Sequence, residues 1–155
     1  MSTVACEDCG APFAGRTACD LAYHELGARA AADARFAYRR RAVVDAYCLQ
    51  HPAYIHSVKS FAAHLCGLCA AIERPTDPRA ERAVWSEIRV RPGATKPPLP
   101  DDRGTLTVAA LCRSTTPEEF RAAADAWIAD VWRAWSPHHA LARDWLDYSI
   151  ANLGR

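Results

Sequence analysis

The segment SVKSFAAHLCGLCAAIE, residues 57–73, has the clearest hydrophobic periodicity in the chain. Its large apolar residues recur every three or four positions, at Val58, Phe61, Leu65, Leu68 and Ile72. This spacing places them on one face of an α-helix, as in helices that pack against a core. The segment therefore predicts a central helix in an all-α fold.

Helix signals recur along the rest of the chain. Asp20 is a candidate N-cap for a first helix, and Pro52 predicts that the helix of RRRAVVDAYCLQH, residues 39–51, ends at His51. A short helix is predicted from Asp77-Pro78, and TLTVAALC, residues 105–112, is interpreted as a helical turn rather than a strand. Near the C-terminus, TTPEEF predicts a capped helix from residue 116, and Ser136-Pro137 predicts a last helix that runs through Leu146.

These signals predict an all-α bundle of about five to six helices, and the CxxCG motif formed by Cys6, Cys9 and Gly10 predicts an N-terminal zinc-knuckle head. We expect one domain over residues 1–155, in which residues 1–26 form the head and pack on the bundle. Residues 89–104 contain four prolines and two glycines and predict a Pro-rich loop.

The head contains the most specific chemical motif of the chain. Cys6 and Cys9 form a C-x2-C pair that is followed by Gly10, the pattern of a metal knuckle. Cys19 and His24 complete a candidate Cys3His set for Zn²⁺. The spacing from Cys19 to His24 suits one site only if Cys19 precedes the first helix, so His51 and Cys48 remain alternative fourth ligands.

The cysteine content of the chain indicates a reducing compartment. The chain has seven cysteines, an odd number, and its first residues lack the pattern of a secretory signal. We therefore expect a cytoplasmic protein without disulfides. Cys66 and Cys69 lie on the predicted central helix, and they and Cys112 are interpreted as small buried apolar residues.

Four histidines form a second candidate site. His51, His64, His138 and His139 are predicted at helix ends or at the edges of apolar faces. If they converge between helices, they could bind a metal or act as a general base, although each alone is typical of a hydrogen-bonded buried histidine. Asp45 is predicted to point away from the apolar face of its helix, and Gln50 could orient an imidazole or face solvent.

Charge disfavours a polyanionic partner. Nineteen basic and eighteen acidic residues leave a net charge of +1, so nucleic-acid binding is disfavoured, and no apolar run is long enough to span a membrane. The triplet Arg39–Arg41 could form a phosphate patch but is more typical of a solvated helix face. The tryptophans at 127, 132, 135 and 145 are not expected to share one core, which would leave at least one exposed to a partner.

Several motifs together resemble an uncharacterised bacterial family, a domain of unknown function. They are the CxxCG knuckle, the segment VDAYCLQHP at residues 44–52, the central helix, and WSPHHALARDW at residues 135–145. The resemblance covers most of the chain and implies no established activity. The arginines at 39–41 depart from it, since histidines would be expected before the VDAY segment.

Two hypotheses follow from the sequence. In the first, zinc is structural, and the protein acts by binding an unknown protein partner or small molecule. In the alternative, the protein is a metal-dependent enzyme of hydrolase or lyase type, with its active site at His51, His64, His138 and His139.

Overall fold

The computed structural model describes residues 4–155, and within that range the chain is all-helical, as predicted. The first three residues of the predicted head lie outside the described residues. The described part of the chain contains seven α-helices: α1 (Gly15–Ala32), α2 (Arg40–Gln50), α3 (Val58–Glu73), α4 (Pro78–Ser86), α5 (Ala109–Cys112), α6 (Pro117–Ala134) and α7 (His139–Ala151). The turns Ala34–Phe36, Pro52–Ile55 and Ser136–His138 are 3-10 helical.

The central pair of the bundle is α2 and α3, which are joined by the turn Pro52–Ile55. Helix α3 also packs against α7 and α4, while α2 packs against α6. Phe61, Leu65 and Leu68 on the predicted apolar face of α3 are fully buried. The periodicity of residues 57–73 therefore identified a helix that packs against α2, α4, α6 and α7.

Most helix ends follow the predicted signals. Thr116 forms a capping box at the start of α6, and Asp77 caps α4; Ser57, which is not among the predicted caps, forms a capping box at the start of α3. At the C-terminus, Ser136 and Pro137 form a 3-10 turn, and α7 starts at His139 and continues to Ala151, beyond the predicted end.

The start of α1 differs from the prediction. The helix begins at Gly15, so Cys19 and Asp20 lie inside it and Asp20 is not its N-cap. The head itself satisfies the first turn: Glu7 accepts from the Arg16 N–H at 3.1 Å and the Val4 carbonyl accepts from the Gly15 N–H at 3.1 Å. Because these partners come from outside the helix, α1 needs no capping side chain of its own.

The tryptophan prediction was wrong. All four tryptophans from residue 127 to residue 145 are buried, and the exposed one is Trp85 on α4, at 64%. Helix α6 is covered on several sides, by α2, α3, α5 and two 3-10 turns, so residues on different faces of it are all buried.

The Pro-rich segment is a loop laid against the C-terminal helices. Arg91 pairs with Asp144 at 2.9 Å, the Arg89 N–H donates to Ser149 Oγ at 2.8 Å, and the Pro98 carbonyl contacts His138 Nε2 at 2.9 Å. Of the TLTVAALC segment that follows, Ala109–Cys112 is helical. Among the described helices, none combines the length and apolar character needed to cross a bilayer.

Candidate metal centre

The CxxCG segment folds into a tight knuckle. The Cys6 N–H donates to the Ala11 carbonyl at 2.9 Å, and the Gly10 N–H donates to the Cys6 carbonyl at 2.8 Å. Gly10 has a φ of 74°, which glycine adopts at little cost. The knuckle thus directs Cys6 and Cys9 to one side, where Cys19 from the second turn of α1 meets them.

The fourth member of the group comes from the end of α2. His51 follows the last residue of α2 and has extended backbone (φ −124°, ψ 102°), the conformation favoured before proline. Its Nδ1 lies 2.7 Å from the Tyr47 carbonyl, which favours a proton on Nδ1 and leaves Nε2 free as a ligand. The Nε2 atom lies 3.7 Å from Cys6 Sγ and 3.5 Å from Cys19 Sγ.

These separations match those of a tetrahedral zinc site. Sulfurs bound at about 2.3 Å from a tetrahedral centre lie about 3.8 Å apart, and a sulfur lies about 3.5 Å from a nitrogen bound at about 2.05 Å. Cys9 Sγ and Cys19 Sγ are 3.8 Å apart, and the four ligand atoms all lie within 4.8 Å of one another. A single ion at the centre could therefore contact all four.

Burial makes this a closed site. Cys6, Cys19 and His51 are each at most 2% exposed, and Cys9 is partly buried. The hydrogen bond from the Cys9 thiol, assisted by His51, lowers the pKa of Cys19 to about 5, although burial opposes the change. The same bond and burial raise the pKa of Cys9. The two opposite shifts follow from the direct contact between these thiols.

Aromatic residues support the ligands from behind. The His51 ring stacks on Tyr47 with centroids 4.0 Å apart, and Tyr47 stacks on Tyr23 at 3.9 Å. The Tyr47 hydroxyl donates to Asp20, which follows Cys19 in α1, and lies 3.9 Å from Cys19 Sγ. These contacts tie the two helices that carry ligands to each other.

His24, the first choice for the fourth ligand, is not part of this group. It is exposed on α1 and lines a separate cavity of about 230 Å³. Cys48 is buried on α2, and burial raises its pKa to about 12. Of the two alternatives, the structure brings His51 to the three cysteines.

The other three candidate histidines have separate surroundings. Nδ1 of His64 lies 2.8 Å from Asp45, whereas His138 Nε2 contacts the Pro98 carbonyl at 2.9 Å and His139 Nε2 contacts the Trp132 carbonyl at 2.7 Å. Within residues 4–155, the cysteine group with His51 is the only cluster of three or more metal-ligating side chains.

Asp45, which is predicted to point away from the apolar face of its helix, lies against an imidazole and not in solvent. It is fully buried between α2 and α3, where Arg41 donates to both carboxylate oxygens at 3.1 Å and His64 contacts Oδ1. Burial raises the pKa of Asp45, although both partners oppose the change. Gly67 on α3 makes room for the carboxylate, because a Cβ there would lie 2.0 Å from Oδ2.

Gln50 is a second buried polar residue of α2. Its Oε1 accepts from Trp127 Nε1 at 3.0 Å, and its Nε2 donates to the carbonyls of Arg103 and Leu106. The amide thus links α2 to α6 and to the end of the Pro-rich loop, and it does not contact an imidazole. The VDAYCLQHP motif contains both Asp45 and Gln50, but its sequence did not reveal which residues they would contact.

The arginine triplet borders a cleft of about 800 Å³, called the arginine cleft below. Its walls include Arg39, Arg40, Arg41 and Arg74, together with the exposed Trp85. The triplet is therefore not simply a solvated helix face.

The remaining cysteines behave as predicted for apolar residues: Cys66 and Cys69 are fully buried, and Cys112 is partly buried.

Fold and site together define a small helical protein with a Cys3His group that could hold a metal ion. The chain matches the model of the Family of unknown function (DUF5946) over residues 4–136 and belongs to that family, in agreement with the resemblance noted from its motifs. The match includes all four ligands and ends before His138 and His139. Comparisons with curated proteins and with solved structures find no match.

Proposed function

We propose that the protein is a zinc-stabilised helical binding protein, in which Zn²⁺ is structural and joins the N-terminal head to the bundle. The observation that carries the proposal is the tetrahedral spacing of Cys6, Cys9, Cys19 and His51. Three sulfur ligands and one imidazole suit zinc better than calcium or magnesium, which prefer oxygen. A site with four protein ligands has no open position for a substrate.

The connectivity of the site explains what zinc would stabilise. Two ligands come from the knuckle, one from α1 and one from the end of α2, so the ion links segments that are up to 45 residues apart. Metal binding at such a site contributes directly to folding free energy. A reducing, cytoplasmic setting suits the proposal, because seven free cysteines need to remain reduced.

Metal content of the purified chain tests the ligand set. We expect one zinc per chain in the wild-type protein, and loss of zinc with reduced thermal stability in His51→Ala. His24→Ala is the matched control, since this imidazole is exposed on α1 and should leave zinc content unchanged. Cobalt substitution of the wild-type protein should give the intense visible bands of tetrahedral thiolate coordination.

The contrary results are specific. A folded wild-type chain without zinc, or zinc that is lost in His24→Ala and kept in His51→Ala, would refute the proposed site. Weak bands typical of six-coordinate cobalt would contradict a closed tetrahedral geometry.

A further inference from the structure

The arginine cleft carries cationic groups that the zinc site does not use. Arg39 pairs with Asp125 at 2.8 Å, Arg41 with Asp45, and Arg74 with Asp147 at 2.6 Å. Arg40 is exposed, and its side chain forms no hydrogen bond or ion pair with any residue from 4 to 155, although its backbone N–H donates to the Ala37 carbonyl at 3.2 Å. It is therefore the arginine of the cleft best able to bind an external anion.

Within residues 4–155, the charges of the cleft wall leave Arg40 as its unpaired cation. Of the four guanidinium groups that line it, three are paired with Asp125, Asp45 and Asp147, and Glu81 also lies in the wall. Helix α2 starts beside Arg40 without an acidic residue in its first turn and without a capping side chain. The free N–H groups of that turn add to the positive potential around Arg40.

Trp85 adds an aromatic side chain to the wall of the cleft. Its side chain is 64% exposed, and the Arg41 guanidinium lies 5.7 Å from the centre of its ring. Ala71, Ile72 and Ile128 give the cleft an apolar lining between the charged groups. An exposed indole beside arginines suits a planar ring, which can stack on it while an attached anion binds arginine.

We propose that the arginine cleft binds a small phosphorylated molecule with a planar ring, of the size of a nucleoside monophosphate. Arg40 and the first turn of α2 bind the phosphate, and Trp85 stacks on the ring. A volume of about 800 Å³ lies in the range of small-molecule sites. The net charge of +1 favours a small anion over a nucleic-acid polymer. This assignment rests on the proposed binding role and names its ligand.

Calorimetric titration of the metal-loaded chain with AMP tests the proposal. Adenosine and inorganic phosphate separate the contribution of the ring from that of the phosphate, and a short oligodeoxythymidylate tests for a polymer. We expect AMP to bind more tightly than either fragment and more tightly than the oligonucleotide. Arg40→Glu should weaken AMP binding about 10- to 100-fold, the usual range for a lost charge-assisted hydrogen bond.

Two further variants sharpen the test. Trp85→Ala should weaken AMP binding about 5- to 100-fold, since a base stacks on an aromatic side chain with that effect. Arg82→Glu is the matched control: it makes the same charge change on an exposed arginine of α4 that does not line the cleft. It should change AMP affinity less than about twofold.

Several results would overturn the assignment. They are absence of AMP binding at millimolar concentration, equal losses in Arg40→Glu and Arg82→Glu, equal binding of AMP and inorganic phosphate, and binding of the oligonucleotide but not of AMP. Zinc content and thermal stability of the same samples show separately whether the structural proposal holds, so failure of one is distinguishable from failure of the other.

Discussion

Replacement of Gly67 by alanine tests how α2 and α3 pack. An ideal Cβ at Gly67 would lie 2.0 Å from Asp45 Oδ2, 2.7 Å from its Cγ and 3.1 Å from Oδ1. The carboxylate cannot move away easily, because it is fully buried and is bound by Arg41 and His64. Glycine is therefore required here by the neighbouring helix and not by its own backbone, which has no positive φ.

Opposing contributions set the size of the effect. Alanine in a helix is favoured over glycine by about 1 kcal/mol. Overpacking costs about 1–3 kcal/mol, and disruption of a buried ion pair costs about 3–5 kcal/mol. Because the side chains can relax partly, we expect Gly67→Ala to lower the free energy of unfolding by about 2–4 kcal/mol.

Urea denaturation followed by circular dichroism measures the change in a double-mutant cycle. Asp45→Ala removes the atoms that clash, so in that background Gly67→Ala should be neutral or stabilising by up to about 1 kcal/mol. Gly27→Ala on α1 is the control, since its Cβ would meet no atom within 4 Å and should stabilise by about 0.5–1 kcal/mol. If Gly67→Ala costs less than about 0.5 kcal/mol, or costs the same with and without Asp45, the proposed packing is wrong.

Two further predictions concern other polar contacts. Gln50→Ala should lower the free energy of unfolding by about 1–3 kcal/mol, because it leaves the buried Trp127 N–H unpaired. Hydrogen exchange should also become faster near Leu106, whose carbonyl loses its hydrogen bond to Gln50. Unchanged stability and exchange would contradict this prediction. The Arg143 guanidinium lowers the pKa of Glu73 below its ordinary value of 4.5, so the pair stabilises the fold above that pH and loses its effect as the pH falls through the folded-state pKa. Glu73→Gln should therefore lower the free energy of unfolding, measured by urea denaturation, by about 0.2–1 kcal/mol at pH 7 and by progressively less below pH 4.5. A loss of stability that grows as the pH falls would refute the assignment.

Local sequence signals predicted most of the helices. Periodicity gave the apolar face of α3, and caps at Asp77 and Thr116 gave two helix starts, because these signals act over one or two turns. The start of α1 was not predicted, because the groups that stabilise it lie outside the helix. Its first turn is satisfied by Glu7 and Val4 from the head, and tertiary hydrogen bonds of this kind leave no signal within the helix.

The four residues of the candidate metal site also differ in whether local sequence predicts them. Cys6 and Cys9 could be recognised from spacing alone, because the knuckle is a local structure. The fourth ligand depends on where α2 ends relative to the head, which is a property of the packed fold. His24 is near the cysteines in sequence but faces solvent from α1, whereas His51 is 32 residues from Cys19 and contacts it.

The residues of one short motif, on α2 and directly after it, contact several other parts of the fold. Along VDAYCLQHP, Asp45 contacts α3, Tyr47 packs against α1, Gln50 joins α6 to the Pro-rich loop, and His51 reaches the metal-binding group. Three buried side chains of α2, together with the His51 that follows it, therefore face four different neighbours, so no single apolar periodicity could describe the helix. Since Arg40 begins the same helix, the arginine cleft lies at one end of α2 and the Cys3His group, which could hold a metal ion, lies at the other. The two proposed sites therefore border opposite ends of one eleven-residue helix.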